Sequence, residues 1–162
     1  GNEISRILLT AHDKSLLPYT LGDSVIFQHS GGFVFPLTVT RKDISLEKTE
    51  SDDGGDYTSF EVLTVLLQSP TPDFSLRFRI HPLEMNYLNS FSLNRQDFYF
   101  PYAFSPYWDT LPINGQIYHD VYLLTNDDMS SQEVLADSIF FNSNHGILQI
   151  SMNNDETYRL LP

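Results

Sequence analysis

From Asp73 to Ile80 the chain alternates without error, with Phe74, Leu76, Phe78 and Ile80 apolar and Asp73, Ser75, Arg77 and Arg79 polar. A period of two belongs to a strand with one wet and one buried face, and it predicts a strand over 73–80. Phe33 to Thr40 repeats the pattern, with Phe33, Phe35, Leu37 and Val39 on one side and Pro36 on the other. Proline cannot donate to a ladder, so an edge strand or a bulge is expected there. Between Tyr57 and Gln68 the run becomes apolar on both faces (Val62, Leu63, Val65, Leu66, Leu67), as in a central strand.

Turn residues punctuate these runs at strand-like intervals. Leu21-Gly22-Asp23 precedes Ser24 to Gln28, and Ser30-Gly31-Gly32 leads into the next strand, which predicts a hairpin. Ser51–Asp56 and Ser69–Asp73 read as loops. Ser138 to Phe141, Gly146 to Met152 and Thr157 to Leu161 predict a meander. Its turns, Asn142–His145 and Asn153–Glu156, are rich in residues that tolerate left-handed backbone, and Gly146 is expected at positive φ. Helical signals are confined to Leu83 to Asn94 and to a capped turn at Met129–Leu135, with Ser130 or Ser131 near its start. The pattern predicts one all-β domain over 1–162: an antiparallel curved sheet, barrel or sandwich with at most one or two short helices.

Composition narrows the functions. The 162 residues carry nine Lys plus Arg against 21 Asp plus Glu, a formal net charge of −12. Twelve Phe, nine Tyr and one Trp are too many for a solvating disordered segment. The acidic balance argues against nucleic acid as a partner and against adhesion to an anionic leaflet. No apolar run approaches the roughly 18 residues of a spanning helix. Cysteine is absent, which removes disulfides, thiolate nucleophiles and the usual structural zinc sites. The chain opens Gly1-Asn2-Glu3 without Met, so Gly1 reads as a cleavage scar on a truncated chain.

Chemical signatures are few. Five histidines (His12, His29, His81, His119, His145) form no His-x-x-x-His or Glu-x-x-His pair. His12-Asp13 and His119-Asp120 are sequence neighbours, which on a strand point to opposite faces. There is no G-x-S-x-G elbow, and the glycine-rich loops lack a following Gly-Lys-Ser/Thr. Asp52–Asp56 and Asn153–Glu156 cluster oxygen ligands without the spacing of a calcium-binding hand loop, and acidic turns ordinarily serve turn geometry and solubility. A non-enzymatic protein without cofactor or metal is therefore expected. A carboxylate-dependent glycoside hydrolase remains the alternative of another class, since any acidic surface can supply two carboxylates. A lipid-binding half-barrel is a third.

One segment concentrates aromatic rings. Phe98, Tyr99, Phe100, Tyr102, Phe104, Tyr107 and Trp108 crowd eleven residues, interrupted by Pro101, Ser105 and Pro106. Two prolines oppose a continuous strand or helix, so several rings share an irregular stretch. Such rings either plug the end of a barrel or form a platform for a sugar face, a lipid or a peptide. Burial is the favoured alternative, because aromatic rings dominate core energetics wherever they can be buried. The candidate ligand-binding residues are Tyr99, Tyr102, Tyr107 and Trp108, with a small molecule or glycan as the partner.

Three stretches resemble hairpins of uncharacterised secreted or cell-envelope lipoproteins of the Bacteroidetes type. They are Leu21 to Phe27, the Asn-Gly turn and following strand in Ile113 to Tyr122, and the ending built from Ser138–Asn142, His145–Gln149, Tyr158 and Leu160. The resemblance implies a secreted or envelope location, outer-membrane or periplasmic, with a lipid-bearing cysteine and tether preceding Asn2 in the full-length protein. It implies a location and a fold class more than an activity.

Overall fold

The computed structural model describes residues 1–49, 53–87, 89–100, 107–126 and 133–162. The strands are β1 (Glu3–Ile7), β2 (Ser24–His29), β3 (Val34–Lys48), β4 (Tyr57–Pro70), β5 (Asp73–Ile80), β6 (Ser90–Leu93) and β7 (Gln96–Tyr99). They continue as β8 (Trp108–Ile113), β9 (Gln116–Thr125), β10 (Ala136–Asn142), β11 (Gly146–Met152) and β12 (Thr157–Leu160). Among the described residues, one short helix, α1 (Ala11–Ser15), follows β1, and a single 3-10 turn spans Leu83–Met85. The strands of the described residues form one sheet, eleven of them in the order β7-β6-β5-β4-β3-β2-β12-β11-β10-β9-β8 and β1 off that path. Neighbours in that order are antiparallel; β1 alone is parallel, pairing with the start of β4 where β5 has ended.

The sheet is curved and open. Its β7 edge comes alongside the half of β9 that lies beyond β8. Side chains bridge the gap in place of a ladder. The Gln96 amide oxygen accepts the Ala136 N–H at 3.1 Å, its amide nitrogen donates to the Ala136 carbonyl, and Asn126 Nδ2 donates to the Asp97 carbonyl at 2.9 Å. The concave side holds one continuous apolar cluster, in which Phe27, Phe78, Phe91, Phe98 and Phe141 are fully buried. Burying one such ring contributes roughly 1.5–3 kcal/mol, whereas an exposed, solvent-screened ion pair such as Arg6–Glu3 adds little, so the interior holds the fold.

The alternation over 73–80 becomes β5 residue for residue, and the predicted meander becomes β10, β11 and β12. The predicted β2–β3 hairpin forms, with Gln28 opposite Val34. Two sequence expectations are corrected. Most of Leu83 to Asn94 is not helix: Asn86 turns left-handed (φ 55°) after one 3-10 turn, and the alternation of Ser90, Phe91, Ser92 and Leu93 then buries Phe91 and Leu93 as β6. Pro36 does not put β3 at an edge. It lies opposite Ile26 of β2, beyond the reach of the β3–β4 ladder, which begins at Thr38. The capped turn expected near Ser130 and Ser131 lies largely outside the described residues.

The bulge sits four residues later, at Thr40, where the β3–β4 register slips between Val39 and Arg41. One extra residue reverses which parity faces inward. Phe35, Leu37 and Val39 point to the core, whereas after the slip Arg41 lies opposite the outward-facing Leu66.

Helix α1 was not read from the sequence, although Thr10-x-x-Asp13 is a capping box. The Thr10 hydroxyl accepts the Asp13 N–H at 3.1 Å, and the Asp13 carboxylate accepts the Thr10 N–H at 2.8 Å. Asp13 also accepts the Leu83 N–H at 3.4 Å, so His12-Asp13 belongs to a helix and its carboxylate has a structural task.

Candidate functional site

The aromatic segment divides. Phe98 is fully buried, and Phe100 packs on Phe78 and Phe141 at 6.3 and 5.3 Å between ring centroids. Burial therefore claims these two rings. Tyr99 is 55% exposed at the tip of β7, opposite Ser90, and Tyr107 is 70% exposed. Trp108 is half-buried at the start of β8, lying across the ladder from Val121. Its ring meets Tyr107 at 4.7 Å and Phe140 at 5.4 Å, both edge to face. Tyr107 and Trp108 are thus brought together and backed by a third ring, and no ring contact joins them to Tyr99. Tyr102 lies outside the described residues.

The strand registers place Tyr99 with a different group of side chains. Reading outward-facing positions across β3, β4, β5, β6 and β7 gives one row of Arg41, Leu66, Arg77, Ser92 and Asp97, and a second of Asp43, Thr64, Arg79, Ser90 and Tyr99. Much of this face forms an open groove of about 670 Å³ lined by Arg41, Arg77 and Arg95 together with Thr64, Leu66, Ser75, Ser92, Asn94 and Asp73. Four of the six arginines, counting Arg79, lie on this face of an acidic chain.

Their states differ. Arg41 donates through Nε and Nη2 to the two oxygens of Asp43 at 2.7 and 3.2 Å. Those hydrogen bonds hold the Asp43 carboxyl below its ordinary range, with the charges of Arg41 and Arg77 adding, and push Arg41 up. Arg79 is paired with Glu47. Arg77 and Arg95 have no hydrogen-bond or ion-pair partner among the described residues. Asn94 is committed to the turn: its Oδ1 accepts the Ser75 N–H at 2.8 Å and its Nδ2 donates to the Asp73 carbonyl at 3.0 Å.

The acidic turn at Asn153–Glu156 spends several of its oxygens locally. Asn153 Oδ1 accepts the Leu135 N–H, Asn154 Oδ1 accepts the Glu156 N–H, and Glu156 faces His29 Nε2 at 3.5 Å. Among the described residues no three His, Cys, Asp or Glu side chains are arranged to hold a metal ion. Also among the described residues, no helix is long and apolar enough to cross a membrane.

The groove was only half legible in the chain. Arg77 follows from the β5 alternation. Arg41 depends on the Thr40 bulge, and Arg95 sits in an Asn-Arg turn that carries no common hairpin signature. Comparison with protein-family models, with curated proteins and with solved structures gave no match.

Proposed function

We propose that this is a non-enzymatic, secreted or envelope-associated β domain that binds a saccharide at the Tyr107–Trp108 face. The supporting observation is an exposed tyrosine ring held edge-on against a tryptophan that rests in turn on Phe140. Aromatic faces stack on the C–H face of a pyranose, and a ring carried on a paired strand loses little freedom when a ligand arrives. The extracytoplasmic setting rests on the lipoprotein-like hairpins, and a lipid anchor would precede the residues present here.

Trp108 is the only tryptophan, so its emission reports directly on this face. Titration with a panel of neutral and acidic oligosaccharides is expected to shift or quench that emission. Tyr107→Ala is expected to weaken the response about tenfold with an unchanged circular dichroism spectrum. Unaltered emission across the panel overturns the reading. Polysaccharide cleavage abolished by a single Asp or Glu substitution replaces it with the hydrolase, and lipid retained in native mass spectrometry replaces it with the lipid carrier.

A further inference from the structure

We infer that the groove on the outer face of β3 to β6 is a second, separate site, and that it takes an acidic saccharide, a polyhydroxylated chain bearing carboxylates, with Arg77 and Arg95 as its carboxylate ligands. The inference is independent of the aromatic face.

Arg95 carries the first part of the case. Leu93 pairs with Gln96, so Asn94 and Arg95 are the two central residues of a hairpin turn, and both are left-handed (φ 49° and 71°). Asparagine is a preferred residue for such a turn, and glycine is the preferred partner after it. An arginine there bears a steric penalty that glycine avoids. Strain at a single position points to a use for the side chain that occupies it. Here that side chain lines the groove and has no hydrogen-bond or ion-pair partner among the described residues.

Arg77 supplies the second part. The neighbouring arginines are neutralised by Asp43 and Glu47, whereas Arg77 stands between Leu66 and Ser92 with no hydrogen bond among the described residues. A guanidinium offers a planar fork matched to a carboxylate, and two unpaired forks on one wall leave a large unmet donor capacity.

The remaining lining selects the kind of anion. Asp73 in the groove and Asp97 beyond Ser92 repel a dense polyanion such as a sulfated or phosphodiester chain, yet accept hydrogen bonds from hydroxyl groups. The hydroxyls of Thr64, Ser75 and Ser92 add neutral donors and acceptors, and Leu66 gives an apolar strip for a ring face. Mixed acceptors with two guanidinium groups whose donors are unspent suit a sugar chain with isolated carboxylates.

Isothermal titration calorimetry with galacturonate, glucuronate and sialate oligosaccharides tests this, with maltotetraose, heparin and inorganic phosphate as contrasting ligands. At least one carboxylated oligosaccharide is expected to bind, more weakly as salt is raised, and maltotetraose is not. Arg77→Gln is expected to weaken that binding by about tenfold or more, with thermal unfolding unchanged. Arg95→Gly is expected to weaken it similarly while the protein melts no lower than the parent. No binding by any carboxylated oligosaccharide overturns the inference, as does equal binding of maltotetraose. Tighter binding of heparin or phosphate assigns the groove to dense anions and overturns it too. Uronate binding that shifts Trp108 emission and survives both arginine substitutions places the ligand on the aromatic face instead.

Discussion

Two hairpins near opposite ends of the sheet turn on the same backbone. Between β8 and β9 the central residues are Asn114 and Gly115 (φ 51° and 80°), flanked by the pair Ile113 and Gln116. Between β6 and β7 they are Asn94 and Arg95 (φ 49° and 71°), flanked by Leu93 and Gln96. The first pair is what a two-residue turn with two left-handed positions favours, and the second departs from it at one residue. Folding alone accounts for Asn-Gly. It does not account for Asn-Arg, and the groove beside Arg95 supplies the missing term. The difference separates a residue selected by its backbone from one tolerated by it.

A third left-handed position gives the largest test of that distinction. Gly146 opens β11 at φ 79°, and a methyl group there would overlap the hydroxyl and ring of Tyr19. The Tyr19 hydroxyl accepts the Ile147 N–H at 2.9 Å inside the core. Glycine is required here by dihedral angle and by space together, whereas at Gly115 no atom lies near the missing side chain. Gly146→Ala is therefore expected to cost about 3 kcal/mol or more, read as a loss of denaturant midpoint with unchanged slope. A cost no larger than that of Gly115→Ala would show that the space around Tyr19 is readily rearranged.

The same contact makes alkaline pH a probe. Burial pushes the Tyr19 hydroxyl above its ordinary value of 10.0, and Tyr118, Tyr122 and Tyr158 are raised in the same direction, also mainly by burial. Below pH 10 these groups are neutral in both folded and unfolded chains and their contribution is intact. Above it the unfolded chain ionises first, so stability falls as pH rises toward the folded values. Denaturant midpoints measured from neutral pH upward are expected to hold until about pH 10 and then drop. Tyr19→Phe, at a fixed cost from the unpartnered Ile147 N–H, is expected to flatten that drop. An identical alkaline slope in the variant would remove Tyr19 from the account.

How far such positions can be read from the chain depends on whether a local rule or a distant contact sets them. The alternation of β5, the meander of β10 to β12 and the left-handed Gly146 were legible because period and turn chemistry are local. The Tyr19 hydroxyl against Ile147 was not, since 128 residues separate them. Helix α1 was missed although its capping box was visible, because five residues carry no helical period. The aromatic segment was read as either buried or a platform, with burial favoured; Phe98 and Phe100 are buried in the core while Tyr107 is exposed, a division that neighbouring residues in one segment do not announce. The groove escaped notice for a different reason: the Thr40 bulge inverts the parity of β3 and brings Arg41 to the face that already held Arg77.

The smallest effect bears most directly on the two hairpins. Placing arginine at Gly115 adds the left-handed penalty of about 1–2 kcal/mol and recovers about 0.4–1 kcal/mol by narrowing the unfolded ensemble, a net loss near 0.5–1 kcal/mol. Arg95→Gly runs the same terms backward and is expected to stabilise the fold by about as much. For a chain of this length that corresponds to about 2 °C in melting temperature, within reach of differential scanning calorimetry. Gly115→Arg should lower the transition while Arg95→Gly raises it. If both substitutions destabilise, Arg95 holds the β6–β7 turn by contacts of its own, and the residue is explained without any ligand. If Arg95→Gly raises the transition and removes uronate binding, the arginine is retained against stability, which only a use outside the fold explains.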